Sequence, residues 1–212
     1  MNEASDGIPP SAGGSDRFRA TACAPEPVRA ELLALLQPGA AGADPVRVRA
    51  LIETLEHACP ADLDRDRALL AGVWELRWSS SSLPYLAVAP WLENLQLLDP
   101  DHGRGMNLLR LSGPLGPLAG IAVQAELTLA PAPEGQRAQR VGVRFERGGW
   151  LGPQLGQRRL SLFRQVSQSF PAWLDITVLD QDLRVCRGNA GTLFALRRRT
   201  DLRLQDLMPQ VG

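Results

Sequence analysis

The chain is 212 residues long, 44% hydrophobic and 5% aromatic, and its 23 acidic and 23 basic residues leave no net charge. That length and apolar content suit one domain with an appendage, or two small domains, and can bury a sizeable core without metals or disulfides. Every base is arginine; a chain without lysine forms neither a lysine Schiff base nor a P-loop, and no apolar run is long enough for a transmembrane helix.

Residues 1–24 are acidic, rich in Gly, Ser and Pro, and poor in apolar side chains. This predicts a disordered tail and a poor secretory or transit peptide. Cys23, Cys59 and Cys186 are odd in number and fit no CxxC or Cys/His ligand pattern, which points to free thiols, a reducing compartment and no metal site. PEPVRAELLALLQPG (25–39) then reads as a short amphipathic helix, with Val28, Leu32, Leu35 and Leu36 at helical spacing and Pro38-Gly39 as its stop. DPVRVRALIETLEHACP (44–60) reads as a second helix, with Asp44 as N-cap and Pro45 at the first helical position. His57 and Cys59 stand two apart, on different faces, and make no ligand pair. Residues 25–70 are thus expected to be helical.

From Gly72 the apolar period changes from helical to two. GVWELRWS alternates Val73/Glu75/Arg77 with Trp74/Leu76/Trp78, as a half-buried strand does. NLQLLD, GMNLLRLSG, AGIAVQAELTLA, RVGVRFER and RRLSLFRQ follow, and then WLDITVLD, LRVCRG and TLFALRR form a final meander. Such strands with no helices between them predict an antiparallel up-and-down barrel or sandwich, here a barrel of about eight or nine strands over 71–199, preceded by two helices. A barrel of that size is either filled by side chains or holds one small ligand. Residues 200–212 are expected as a tail. SSSSLPYLAVAPWLEN (79–94) breaks the pattern and reads as a lid, a membrane-resting flap or a plug, with Tyr85 and Trp91 as its contacts.

Catalysis has few residues to work with. His57 and His102 are the only histidines, and GxSxG, HExxH, GxGxxG and EF-hand patterns are absent. Asp175, Asp180 and Asp182 are possible acid–base partners, but Asp180 and Asp182 flank a turn, where aspartate bonds its own backbone. Arg184, four residues after Asp180, is within reach across that turn, as a strand fastening or a ligand clamp. Charge is uneven: residues 1–100 carry 14 acids and 8 arginines, residues 101–212 carry 9 acids and 15 arginines. The arginines of 137–164 lack interleaved aromatics for base stacking, so nucleic acid is not expected as a partner.

WLDITVLDQDLRVCRGNAGTLFAL (173–196) closely resembles the C-terminal signature of the fibrillin family, the plastid lipid-associated proteins of plastids and cyanobacteria. Asp175, Leu179, Asp180, Leu183, Arg184, Arg187, Gly188, Gly191 and Phe194 fall on its pattern. ALIETLEHACP resembles the family's leading helix, LLAGVWELRWSSS resembles its first strand, and Asn107 stands where the family often has Asn. The resemblance runs from about Val46 to Arg198; it departs at Val178, often Tyr in the family, and at Gln181, often an acid. It implies a lipocalin-like barrel at thylakoid membranes or lipid globules. Members are thought to bind or carry small hydrophobic molecules (lipid, carotenoid or quinone) without enzymatic activity or a cofactor, in photoprotection and membrane maintenance. The N-terminus fits a cyanobacterial member, cytoplasmic or peripheral on the membrane and not secreted.

On this reading Trp74, Trp78 and Phe145 line or floor the cavity. Asp180, Arg184 and Arg187 form a polar cluster at one end, fastening strands or meeting a ligand head group. Tyr85 and Trp91 are lid or membrane contacts. Two other readings stand beside it: a filled barrel serving as an interaction module in a photosynthetic membrane complex, and a bilin lyase with Asp175 or Cys186 facing inward.

Overall fold

The computed structural model describes residues 25–39, 43–83, 86, 88–156, 158–167 and 172–208, and of Arg158 the backbone only. The expected tail at 1–24, Cys23 and Tyr85 lie outside the described residues. Three helices come first: α1 (Glu26–Leu35), α2 (Pro45–Ala58) and α3 (Leu63–Leu70). Asp44 caps α2 by accepting the Val46 N–H at 3.0 Å, and Pro45 occupies the first turn, where a missing N–H costs nothing. The helix α3 is an addition to the expected pair. Its sequence, LDRDRALL, is too short and polar to show a stripe, but Asp62 caps it and its two end leucines are buried.

Nine strands follow: β1 (Gly72–Ser79), β2 (Leu92–Asp99), β3 (Arg104–Leu111), β4 (Gly120–Leu129), β5 (Arg140–Leu155), β6 (Arg158–Gln165), β7 (Ala172–Leu179), β8 (Leu183–Gly188) and β9 (Leu193–Arg198). All neighbours are antiparallel; β1 pairs with β9, and β4 and β7 both pair with β5, closing a barrel of eight strands. The extra strand is β6, which pairs with the distal half of β5 and forms the edge of the sheet. At 16 residues, β5 is twice the length of most of its partners. Its first residues close the barrel against β7, while its distal half, still paired with β4 as far as Leu151, takes β6 on its other edge in place of β7.

The alternation separates inside from outside. Trp74, Leu76, Val141, Ile176, Cys186, Phe194 and Leu196 pack inward in one cluster. Leu63 and Leu70 of α3 join them and plug the end of the barrel at which β1 starts. Helices α1 and α2 lie outside, burying Leu32, Leu36, Val48, Leu51, Ile52 and Leu55 against Val178, Leu183, Val185, Leu193 and Ala195. Each fully buried aliphatic side chain of this kind stabilises by about 1.5–3 kcal/mol relative to its exposed state. Residues 200–208 are no free tail: after β9 the chain turns back, and Leu207 and Met208, in and beside the short α4 (Leu204–Leu207), cover Val73, Leu95, Leu97, Met106 and Leu108 on the outer face.

Arg198 fastens the plugged end. Its guanidinium donates to the carbonyls of Leu69 and Ala71 and stacks 4.2 Å from the Trp74 ring centroid. Gly72 makes this possible: a Cβ there would fall 2.4 Å from Arg198 Nη1, and its φ of +135° disfavours any L side chain.

Candidate functional site

The end of the barrel opposite α3 is built differently. No described α-helix plugs it, and Leu86, in the connection from β1 to β2, packs against the inward cluster. Several inward positions of β2 to β5 stay half-exposed, among them Gln96, Leu109, Val123, Val143 and Phe145, whereas Asn94, Ala125 and Val141 are buried and Leu98 and Leu127 pack against the cluster that α3 joins. Asn107, cross-strand from Gln96 and Val123 and so on the inward face of β3, is exposed outright. An inward residue in mid-strand reaches solvent only where the lumen is open. The lumen is thus packed on the β7–β8–β9–β1 side and accessible on the β2–β5 side.

The same end carries the exposed apolar surface. Among the described residues, most of the exposed large apolar side chains lie here. Ile121, Trp150, Leu160 and Leu162 face one way on β4, β5 and β6; Leu111, Leu115 and Leu118 sit on the rim; Leu83, Val88 and Trp91 belong to the connection from β1 to β2. Trp91 is 63% exposed and lies just before the start of β2. Strand β5 runs on beyond RVGVRFER through GGWLGPQL, whose glycine pair and proline are loop signals in a sequence. Its signal was Trp150 alternating with Leu162 across the turn.

The structure separates the expected site residues. Trp74 is inward and fully buried at the plugged end, with its Nε1 donating to the Leu70 carbonyl at 2.9 Å. Phe145 is inward, opposite Ala125 on the accessible side. Trp78 is a correction: strict alternation places it with Trp74, but a β-bulge between Leu76 and Trp78 turns it outward onto the helix cluster, with the Arg49 guanidinium 5.7 Å from its ring. One extra residue in a strand flips every side chain after it.

Asp180, Arg184 and Arg187 do not form one cluster. Asp180 accepts two hydrogen bonds from Arg29 of α1, at 2.7 and 3.0 Å, and two more from the amides of Asp182 and Leu183. Burial alone would raise its pKa, but the Arg29 guanidinium and these amides outweigh it and hold the carboxyl below its ordinary value. Arg187 is outward and engages Glu56 of α2 at 2.8 and 2.5 Å. Both residues therefore fasten helices to the barrel. Arg184 alone faces the lumen: it is 1% exposed, donates to Gln96 Oε1, and lies 5.2 Å from the Trp74 ring. The expected reach from Asp180 to Arg184 is not made, because the two point to opposite sides of the barrel wall.

Asp175 is outward and bonded by Arg140, at 2.8 and 2.9 Å. Cys186 is inward, but burial pushes its thiol up, away from the nucleophilic thiolate. A soluble thiol reagent is accordingly expected to leave Cys186 unmodified in the folded protein and to label it on unfolding, as peptide mass mapping would show. Of the arginines of 137–164, Arg140 and Arg144 pair with carboxylates, so the basic stripe is partly neutralised. A second cleft, of about 690 Å³, lies outside the barrel beside Leu35, Pro38, Glu75, Arg77, Pro90 and Arg199. Its charges are spent on one another: Glu75 pairs with Arg77 and Arg199, and Arg199 also with Glu93.

An eight-stranded antiparallel barrel plugged at one end, accessible at the other and flanked by helices defines a lipocalin-like protein. Within that class the chain belongs to the PAP/fibrillin family, whose model matches residues 39–197. Family and barrel together fit a lipid-associated protein. No curated protein and no solved structure matches the chain. Among the described residues no helix is long and apolar enough to cross a membrane.

Proposed function

We propose that this protein is a non-enzymatic carrier of a small hydrophobic molecule (a lipid, carotenoid or quinone), taken up at a membrane or lipid-globule surface through the open end of the barrel. The observation that carries the reading is the coincidence of two features at one end. There the inward face of β2–β5 reaches solvent at Asn107, and there the exposed apolar side chains gather. A soluble monomer rarely leaves a large contiguous apolar surface uncovered without a use for it. Ile121, Trp150, Leu162 and Trp91 would enter the head-group region, and the ligand would pass into the lumen without crossing water.

In this reading Phe145 and the half-buried aliphatics of β2–β5 form the ligand wall, and Trp74 is the floor. Apolar contact contributes about 25 cal/mol for each Å² of ligand surface buried, while a few polar groups set orientation. Thylakoid membranes, lipid globules and a part in photoprotection or membrane maintenance are the setting the family suggests. The test is a fluorescence-quenching panel on delipidated protein with a carotenoid, a plastoquinone analogue and a lipid. Saturable binding of at least one is expected, and binding of none would remove the carrier reading. Floating the protein with liposomes tests the membrane face: Trp150→Asp with Leu162→Asp is expected to abolish co-flotation.

A further inference from the structure

Among the described residues, the lumen holds a charge with no countercharge. Every inward position of the eight barrel strands, read from the register, is apolar or neutral except Arg184 and Arg198, and none is acidic. Arg198 is satisfied by backbone carbonyls at the plugged end. Arg184 is not: its side chain is buried, and among the described residues its Nε has no hydrogen-bond partner and its one hydrogen bond is to the neutral Gln96. The nearest carboxylates in sequence, Asp180 and Asp182, are held outside by Arg29. Burying an unpaired guanidinium is costly, and buried charges are ordinarily paired and fully hydrogen-bonded.

Arg184 is also connected to solvent. Gln96 is half-buried and stands cross-strand from the exposed Asn107, so Arg184, Gln96 and Asn107 form a polar line from the deepest group to the open lumen. The inward residues around that line, Leu98, Leu127, Val143 and Phe145, are apolar. A fixed cation at the end of an apolar-walled passage matches an amphiphile that carries its charge at one end.

We infer that the lumen takes an anionic amphiphile, its carboxylate or phosphate-ester head on the Arg184 guanidinium and its chain against the wall of β2–β5. This inference rests on the carrier reading above and narrows it from hydrophobic molecules in general to those with an acidic head. A planar guanidinium suits either oxyanion, since its parallel N–H groups meet two oxygens at once.

The probe is cis-parinaric acid, whose fluorescence rises in an apolar site, compared with its methyl ester at pH 8. The wild type is expected to bind the acid at least tenfold more tightly than the ester. Arg184→Met should bring the two affinities together by weakening the acid and sparing the ester; Arg184→Lys should keep part of the preference. Displacement by palmitate but not by 1-palmitoylglycerol 3-phosphate assigns a carboxylate head, and the reverse assigns a phosphate ester. Equal wild-type affinity for acid and ester overturns the inference and leaves the carrier reading standing. Binding of neither probe, in a protein that also fails the neutral panel, removes both. The comparison within the wild type decides the matter even if a variant does not fold.

Discussion

Truncation of Trp74 to alanine is expected to be the most damaging single change in the protein. The indole is fully buried at the meeting of β1, β8, β9 and α3, bonds the Leu70 carbonyl, and lies between the guanidinium groups of Arg198 and Arg184. Losing a buried ring costs about 3–5 kcal/mol through lost transfer energy and an unfilled cavity. A domain has about 5–15 kcal/mol to lose. With roughly 2–4 °C of melting temperature per kcal/mol at this size, Trp74→Ala should lower the midpoint by about 10 °C in a thermal melt followed by circular dichroism. Trp74→Phe keeps most of the ring but leaves the Leu70 carbonyl without its donor, and should lose about 1–2 kcal/mol. An alanine variant that melts with the wild type would mean that the plugged end is not packed as described.

Asp180 should come second. It is a turn residue with four hydrogen bonds, two holding the turn between β7 and β8 and two holding α1 through Arg29. Asp180→Ala removes all four and leaves the Arg29 guanidinium, which is only 19% exposed, with Asp182 as its remaining close carboxylate. Hydrogen bonds to charged groups contribute about 1.5–3 kcal/mol, so about 2–3 kcal/mol is expected, with Asp182 limiting the loss on the Arg29 side. Asp180→Asn should lose less, because an amide oxygen still accepts from the Asp182 and Leu183 N–H groups. The pH dependence has a definite sign. The folded carboxyl sits below its ordinary value, so near-neutral pH gives the full stabilisation, and acid removes it as pH falls through the folded value. The stability gap between wild type and Asp180→Asn in urea should therefore be constant from pH 6 to 8 and narrow below about pH 4. A gap that widened in acid would contradict the ion pair.

The same residue shows how a functional reading and a structural one were told apart. In sequence, Asp180 and Arg184 are four apart across a turn and read first as a fastening and only second as a clamp. Their partners are 151 and 88 residues away, Arg29 for Asp180 and Gln96 for Arg184. Nothing in LDQDLR specifies those distant partners. Arg187 follows the same pattern, since Glu56 lies on a helix 131 residues earlier. Local spacing revealed that the charges exist and alternate; only the folding of α1 and α2 onto the outer wall decided which of them were already taken.

What the sequence determined by itself was the set of local patterns. Two leucine stripes at helical spacing produced α1 and α2, Asp44 and Pro45 set where α2 begins, and period-two alternation produced nine strands, because burial of one face allows only one pattern for each element. The family signature lay in one contiguous segment and was legible for that reason. What only the tertiary structure decided depended on contacts between distant segments. It turned Trp78 out of the barrel at a bulge, extended β5 through a glycine pair into a hairpin, folded residues 200–208 back as a cover, and plugged one end with the polar α3. It also left Arg184 buried in the lumen with a neutral amide, and among the described residues no carboxylate, to meet it. Whether a charge is satisfied is a property of everything packed around it, and the chain order does not contain that.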